Sequence, residues 1–143
     1  MFAATYSAPR HLPSLACAYQ RVATETGISG ASPHKLIELL FDGFHEAIAQ
    51  ARGALRSRQI EAKGRAIGRA MRIVDEGLHA GLDMSAGGAL AADLGALYTY
   101  VELRLMHANL HNDEAALDEC LQLIEPVRSA WAAIGPQVNG LRR

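Results

Sequence analysis

The 143-residue chain has almost no strand signal. β-Branched and aromatic residues never alternate with polar ones over a useful length, and aromatics make up only 6% of the chain. Sheet architectures are therefore excluded. Cysteine is equally scarce: Cys17 and Cys120 form no CxxC pair and stand at no metal-ligand spacing. Free thiols in a reducing cytoplasm are the simple inference, with Cys120 a small core residue. No apolar run approaches the roughly 18 residues of a membrane span. Residues 1–30 carry prolines, tyrosines and polar residues where the apolar centre of a signal peptide would stand. The expectation is a cytoplasmic protein that does not insert into membranes.

What is abundant is alanine, at 26 residues, the best helix former and small enough to let helices approach closely. Half the residues are hydrophobic and a fifth charged, at a length that buries roughly two thirds of the unfolded surface in one domain. The net charge is −1 but unevenly spread. Seven basic residues face Glu61 alone between Arg52 and Arg72, and ten acidic residues face Arg104 alone between Asp75 and Glu125. No aromatics are interleaved in the basic stretch to stack bases, so nucleic acid is not the expected partner. Oppositely charged helices lying side by side explain the pattern.

The apolar spacing predicts four helices. Ser32-Pro33 supplies an N-cap and a first-turn proline, opening a helix to about Ser57. Its stripe is Ile37, Phe41, Phe44, Ile48, Ala51 and Leu55. The second helix runs from about Ile60 to Leu82 on Ile67, Met71, Val74, Leu78 and Leu82. Gly64 and Gly68 weaken it, and close helix approach is the expected compensation. After a loop at Met84–Gly88, the third helix carries an inner row of Leu90, Leu94, Leu97, Val101, Leu105 and Ala108. Asn112-Asp113 ends it. The fourth helix runs to about Ile134 on Leu117, Cys120, Ile124, Val127, Trp131 and Ile134, with a kink expected at Pro126.

The fold class is therefore all-α, an antiparallel up-down four-helix bundle over residues 31–135. Residues 1–30 read as a mobile arm in which Leu15–Val22 can form a short helix, and 136–143 as a frayed tail. One feature exceeds what a bundle needs. The third helix has a second apolar row, Tyr100, Leu103 and Leu110, flanked by Tyr98 and Met106. The first helix has a similar extra row of Leu36, Leu40 and Ala47.

Bundles can also carry chemistry. Glu76-x-x-His79 and Asp42-x-x-His45 match half of a di-iron motif, but Glu76 falls off the apolar seam and the last two helices offer no glutamate on their stripes. His107 and His111 stand four apart without a third ligand beyond Asp113. His45 is a conceivable phosphotransfer histidine, without the lysine and small residues such modules carry after it. Gly87-Gly88 lacks the lysine and strand of a phosphate loop. No catalytic residues, cofactor or metal are assigned. A histidine-phosphotransfer or metal-binding bundle stays as the alternative, and self-association through the extra rows as a third possibility.

Taken together, AYQRV at 18–22, ASPHKLIELLFDG at 31–43, LDMSAGGALAADLGALYTYVELRL at 82–105, AN at 108–109, ND at 112–113 and Trp131 resemble the flagellin-specific export chaperones of bacterial flagellar secretion. The resemblance implies a non-enzymatic bundle that binds the disordered C-terminal segment of flagellin in the cytoplasm. It keeps flagellin from polymerising and helps present it to the flagellar type III export gate. The second rows then become grooves for the segment, and Leu36, Leu40, Leu78, Leu82, Tyr98, Tyr100, Leu103 and Met106 are the expected groove residues. Tyr19 aligns with the family's arm tyrosine, so Tyr19 and Val22 are expected to cover part of the groove until flagellin displaces them. A monomer or weak homodimer is expected. Phe41 replaces the usual tyrosine and Thr99 a common aspartate, ETGISGASP adds glycines between arm and bundle, and Pro126 is foreign to the pattern.

Overall fold

The computed structural model describes residues 32–82 and 84–141. The helices are α1 (Pro33–Arg56), α2 (Ile60–Arg72), α3 (Met84–His111) and α4 (Glu114–Leu141). α2 continues without interruption into a wider π-helical segment, Ile73–His79. Among the described residues there is no strand. Each helix packs on its neighbours in the chain, and α1 closes the ring against α4. This is the antiparallel bundle expected from the spacing.

Local chemistry sets the ends. The Ser32 hydroxyl accepts from the Lys35 amide at 3.2 Å, and Pro33 follows where its missing N–H costs nothing. α1 stops as Arg58 turns left-handed at φ 59° and the Gln59 amide donates back to Ala54. Asn112, at φ 52°, ends α3 in the same way, and Asp113 Oδ1 accepts from the Ala116 amide at 3.3 Å to start α4. Gly88, at φ 56° and ψ −133°, breaks α3 one turn after it begins, in the stretch expected to be loop.

The core holds the expected stripes. Phe41, Phe44, Ile48, Ile67, Val74, Val101, Leu105, Leu117 and Ile124 are buried, each burial stabilising by about 1.5–3 kcal/mol. Two rows differ from expectation. Leu90 is 68% exposed, while Ala91 and Tyr98 are buried with Val101, Leu105 and Ala108. The inner face of α3 is thus turned toward Tyr98, and Leu90, just past the Gly88 break, falls outside it. On α4, Ile134 is exposed and the neighbouring Gly135 is buried. The helix passes its expected end at Ile134 and continues to Leu141. It also runs unbroken through Pro126, because both Pro126 and Gln122, whose carbonyl loses its partner, lie on the solvent side.

Close approach occurs at glycines other than those expected. A Cβ on Gly64 or Gly68 would find no atom nearer than 4.0 Å and 3.9 Å respectively. Gly64→Ala and Gly68→Ala are therefore expected to stabilise the bundle, each by up to about 1 kcal/mol, as read by urea midpoints. Gly77 is different: its Cβ would lie 2.9 Å from Leu40 Cδ1 inside the core. It sits in the π segment, where the Ala80 amide reaches back five residues to Asp75 at 3.1 Å.

Two tertiary contacts had no counterpart in the sequence reading. Lys63 is 3% exposed, and its ammonium donates to the Asn109 carbonyl at 2.8 Å and to Asn112 Oδ1 at 2.5 Å. A cation thus sits on the negative end of α3. At the other end of the bundle His34 stacks on Trp131 with ring centroids 4.9 Å apart. His34 Nε2 lies 2.8 Å from the Trp131 carbonyl, and the Trp131 indole donates to the His34 carbonyl at 3.1 Å.

Candidate docking surface

α3 carries most of the exposed large apolar side chains among the described residues. Tyr100, Leu103, Met106 and Leu110 are exposed, Leu103 at 58% and Leu110 at 74%. An alanine-rich helix with leucine on the inner face alone would satisfy the bundle. The outer leucines face water, and no packing among the described residues covers them.

The eight expected groove residues separate into three groups. Tyr100, Leu103 and Met106 are open and share one side of α3. Leu36 and Leu82 are half-buried. Leu40, Leu78 and Tyr98 are core residues, 3–4% exposed, and offer no surface for docking. Tyr98 is a correction with a plain cause: three residues before Val101 and seven before Leu105, it lies on the buried face. Burial pushes its phenol up to about 12. Leu110 and Leu90 were not among the expected residues; Leu110 is signalled by its place in the outer row, Leu90 only by its nearness to Gly87-Gly88. Tyr19 and Val22 lie outside the described residues.

A polar rim borders the open surface on the α4 side. The Tyr100 hydroxyl donates to Glu119 Oε2 at 2.6 Å and Arg104 Nε to Glu119 Oε1 at 2.7 Å. These bonds hold the Glu119 carboxyl below its ordinary 4.5, and the carboxylate in turn raises the Tyr100 phenol. Glu114 is likewise lowered, first by its hydrogen bond from Arg56, which ties the end of α1 to the start of α4. A carboxyl lowered by folding adds stability above its unfolded value and loses it as the pH falls through the folded one. Melting midpoints are expected to hold from neutrality to about pH 4.5 and to drop below it. Glu114→Gln and Glu119→Gln should flatten that acid limb.

The histidines are structural partners. His45 Nε2 meets Glu125 Oε1 at 2.8 Å, and Arg128 bridges to Asp42 at 2.7 Å, so the Asp42–His45 pair joins α1 to α4. His107 lies 3.2 Å from Asp113, and its ring is 4.5 Å from that of His111. His79 turns to Glu102 at 3.4 Å, and Asp75 rather than Glu76 completes that group, the three ligand atoms lying within 4.8 Å of one another. Burial raises the Glu102 carboxyl. Asp75 is exposed and Glu102 already pairs with His79, an arrangement common on surfaces without an ion.

Comparison with known proteins shows the family of the chain. The sequence pattern of the family described as flagellar protein FliS matches residues 15–138. The chain belongs to the FliS family of flagellar secretion chaperones. Flagellar secretion chaperone FliSB of Pseudomonas aeruginosa is 47% identical over 116 residues, 81% of this chain and 91% of the relative. Flagellar secretion chaperone FliS of Salmonella typhimurium is 43% identical over 122 residues, 85% of this chain and 90% of that one. FliS of Bacillus subtilis is 30% identical over 107 residues, 75% and 78% of the two chains. FliS proteins are chaperones and not enzymes. No helix among the described residues is long and apolar enough to cross a membrane.

Proposed function

We propose that this FliS chain holds the disordered C-terminal segment of flagellin on the outer side of α3 in the bacterial cytoplasm. It prevents premature polymerisation and hands flagellin to the type III export gate. The observation that carries the reading is the row of exposed large side chains, Leu103, Met106 and Leu110, on a helix whose opposite face is already fully packed. An amphipathic segment docking there makes helix-in-groove contacts, with alternate apolar anchors seated against these residues. Ordering it costs several kcal/mol, so small contacts do not suffice. Leu36 and Leu82, half-buried, serve as edges of the docking surface.

The same reasoning gives the N-terminal arm a role. Tyr19 and Val22 cover part of the apolar surface in the free chaperone and are displaced by flagellin. The assignment is tested by pull-down with flagellin and with flagellin lacking its disordered C-terminal segment. Full-length flagellin is retained and the truncated form is not; equal retention of both would remove the proposed client segment. Deleting residues 1–25 raises segment affinity and binding of an apolar dye, and unchanged values of both would end the covering role of the arm.

A further inference from the structure

Carboxylates at the other helix seams meet arginines: Glu114 pairs with Arg56, Glu119 with Arg104 and Asp42 with Arg128. Where the π segment faces α3 the pattern changes. Among the described residues neither Asp75 nor Glu102 pairs with a lysine or arginine, and the partner of Glu102 is His79. Two carboxylates and one imidazole thus converge without a fixed cation between them.

Such groups often stand on surfaces without an ion, but the backbone here is shaped around this one. Asp75 and His79 lie four apart inside the π segment Ile73–His79. In an α-helix residues four apart are offset around the axis. The wider turn, in which the Ala80 amide reaches back five residues to Asp75, brings them nearly into line. Single π turns of this kind are frequent at functional sites. The ring of His79 is also held in place, with its centroid 6.0 Å from that of Tyr98. On its Nε2 side stands Gly95, where a Cβ would lie only 3.6 Å away.

The distances suit a small cation. Donors on a tetrahedral zinc stand about 3.3 Å apart, given bonds of about 2.0–2.1 Å. His79 Nδ1 and Glu102 Oε2 are already 3.4 Å apart. The three donor atoms lie within 4.8 Å of one another, so Asp75 needs to close by about 1.5 Å at most. Its side chain is exposed and free to change rotamer. One nitrogen with two carboxylate oxygens favours zinc over calcium or magnesium, which prefer oxygen alone.

We propose that Asp75, His79 and Glu102 form a zinc site clamping the end of the π segment to α3, with water in the fourth position. Zinc held there ties together two helices at the level of Leu103, the residue after Glu102. The site stands whether or not the outer side of α3 receives flagellin.

The test is calorimetric titration of the metal-free full chain with zinc, alongside melting curves with and without the ion. One zinc binds per chain at micromolar concentration, and the melting midpoint rises by about 3 °C or more. Asp75→Asn, at an exposed position, keeps the metal-free midpoint and weakens zinc binding by about ten-fold or more. His79→Ala weakens it further. Glu76→Gln and the pair His107→Ala with His111→Ala leave it unchanged. A wild type that takes up no zinc at about 100 µM overturns the proposal. So does binding that survives Asp75→Asn and His79→Ala, or that is lost with Glu76 or the His107–His111 pair, because the ion then sits elsewhere.

Discussion

Replacing Gly135 with alanine is expected to destabilise the fold by about 2–4 kcal/mol, measured by urea unfolding. A Cβ at this position would overlap the His34 imidazole, which is 8% exposed and stacked on Trp131. The ring cannot retreat into water without giving up the Trp131 carbonyl and the stack. The estimate combines the usual 1–3 kcal/mol of overpacking with hydrogen bonds worth about 1 kcal/mol each. The cause can be isolated in a double-mutant cycle. In a His34→Ala background the same glycine substitution should cost almost nothing, and a cost that persisted would place the strain elsewhere.

The second large effect falls on binding and should leave folding untouched. Leu103→Glu combined with Met106→Glu is expected to weaken binding of the flagellin C-terminal segment by about 100-fold or more. Burying each apolar side chain is worth about 1.5–3 kcal/mol, and 1.4 kcal/mol is a factor of ten. Both residues already face water, so the melting temperature should stay within a degree or two. Leu90→Glu is the control, since that residue is as exposed but stands beside the Gly88 break, off the outer row. Titration calorimetry of a labelled segment would distinguish the three proteins. Equal losses from Leu90→Glu and the double variant would place the client surface elsewhere.

Features governed by a few neighbouring residues were legible in the sequence. Ser32-Pro33 and Asn112-Asp113 mark helix ends because capping chemistry acts within one turn. The stripes of α1, α2 and α4 could be read because polar residues separate them. α3 was harder, since leucine and alanine occur all around it. Its spacing points to Leu90 as the inner face where the structure buries Tyr98, and Tyr98, Leu40 and Leu78, expected in a groove, form core. Nothing local distinguishes an inner leucine from an outer one when both rows keep helical spacing. The His34–Trp131–Gly135 cluster was illegible for another reason. Its partners lie 97 residues apart, and Gly135-Pro136 reads as a helix stop until the imidazole that needs the space is known. Lys63 is similar: no sequence rule tells a lysine that it will meet the last carbonyls of another helix.

The order of the helices around the ring has a kinetic consequence. α1 meets α2, α2 meets α3 and α3 meets α4, so three of the four seams join elements adjacent in the chain. Only α1 against α4 closes a long loop. Topologies so rich in local contacts fold in microseconds to milliseconds, because little chain entropy is lost before contacts reward it. The closing seam, held by His34 with Trp131, Asp42 with Arg128, and Arg56 with Glu114, is then the step that waits for the rest. A newly made molecule therefore reaches its binding-competent form far faster than a ribosome adds the next residue to its client, at about 5–20 per second.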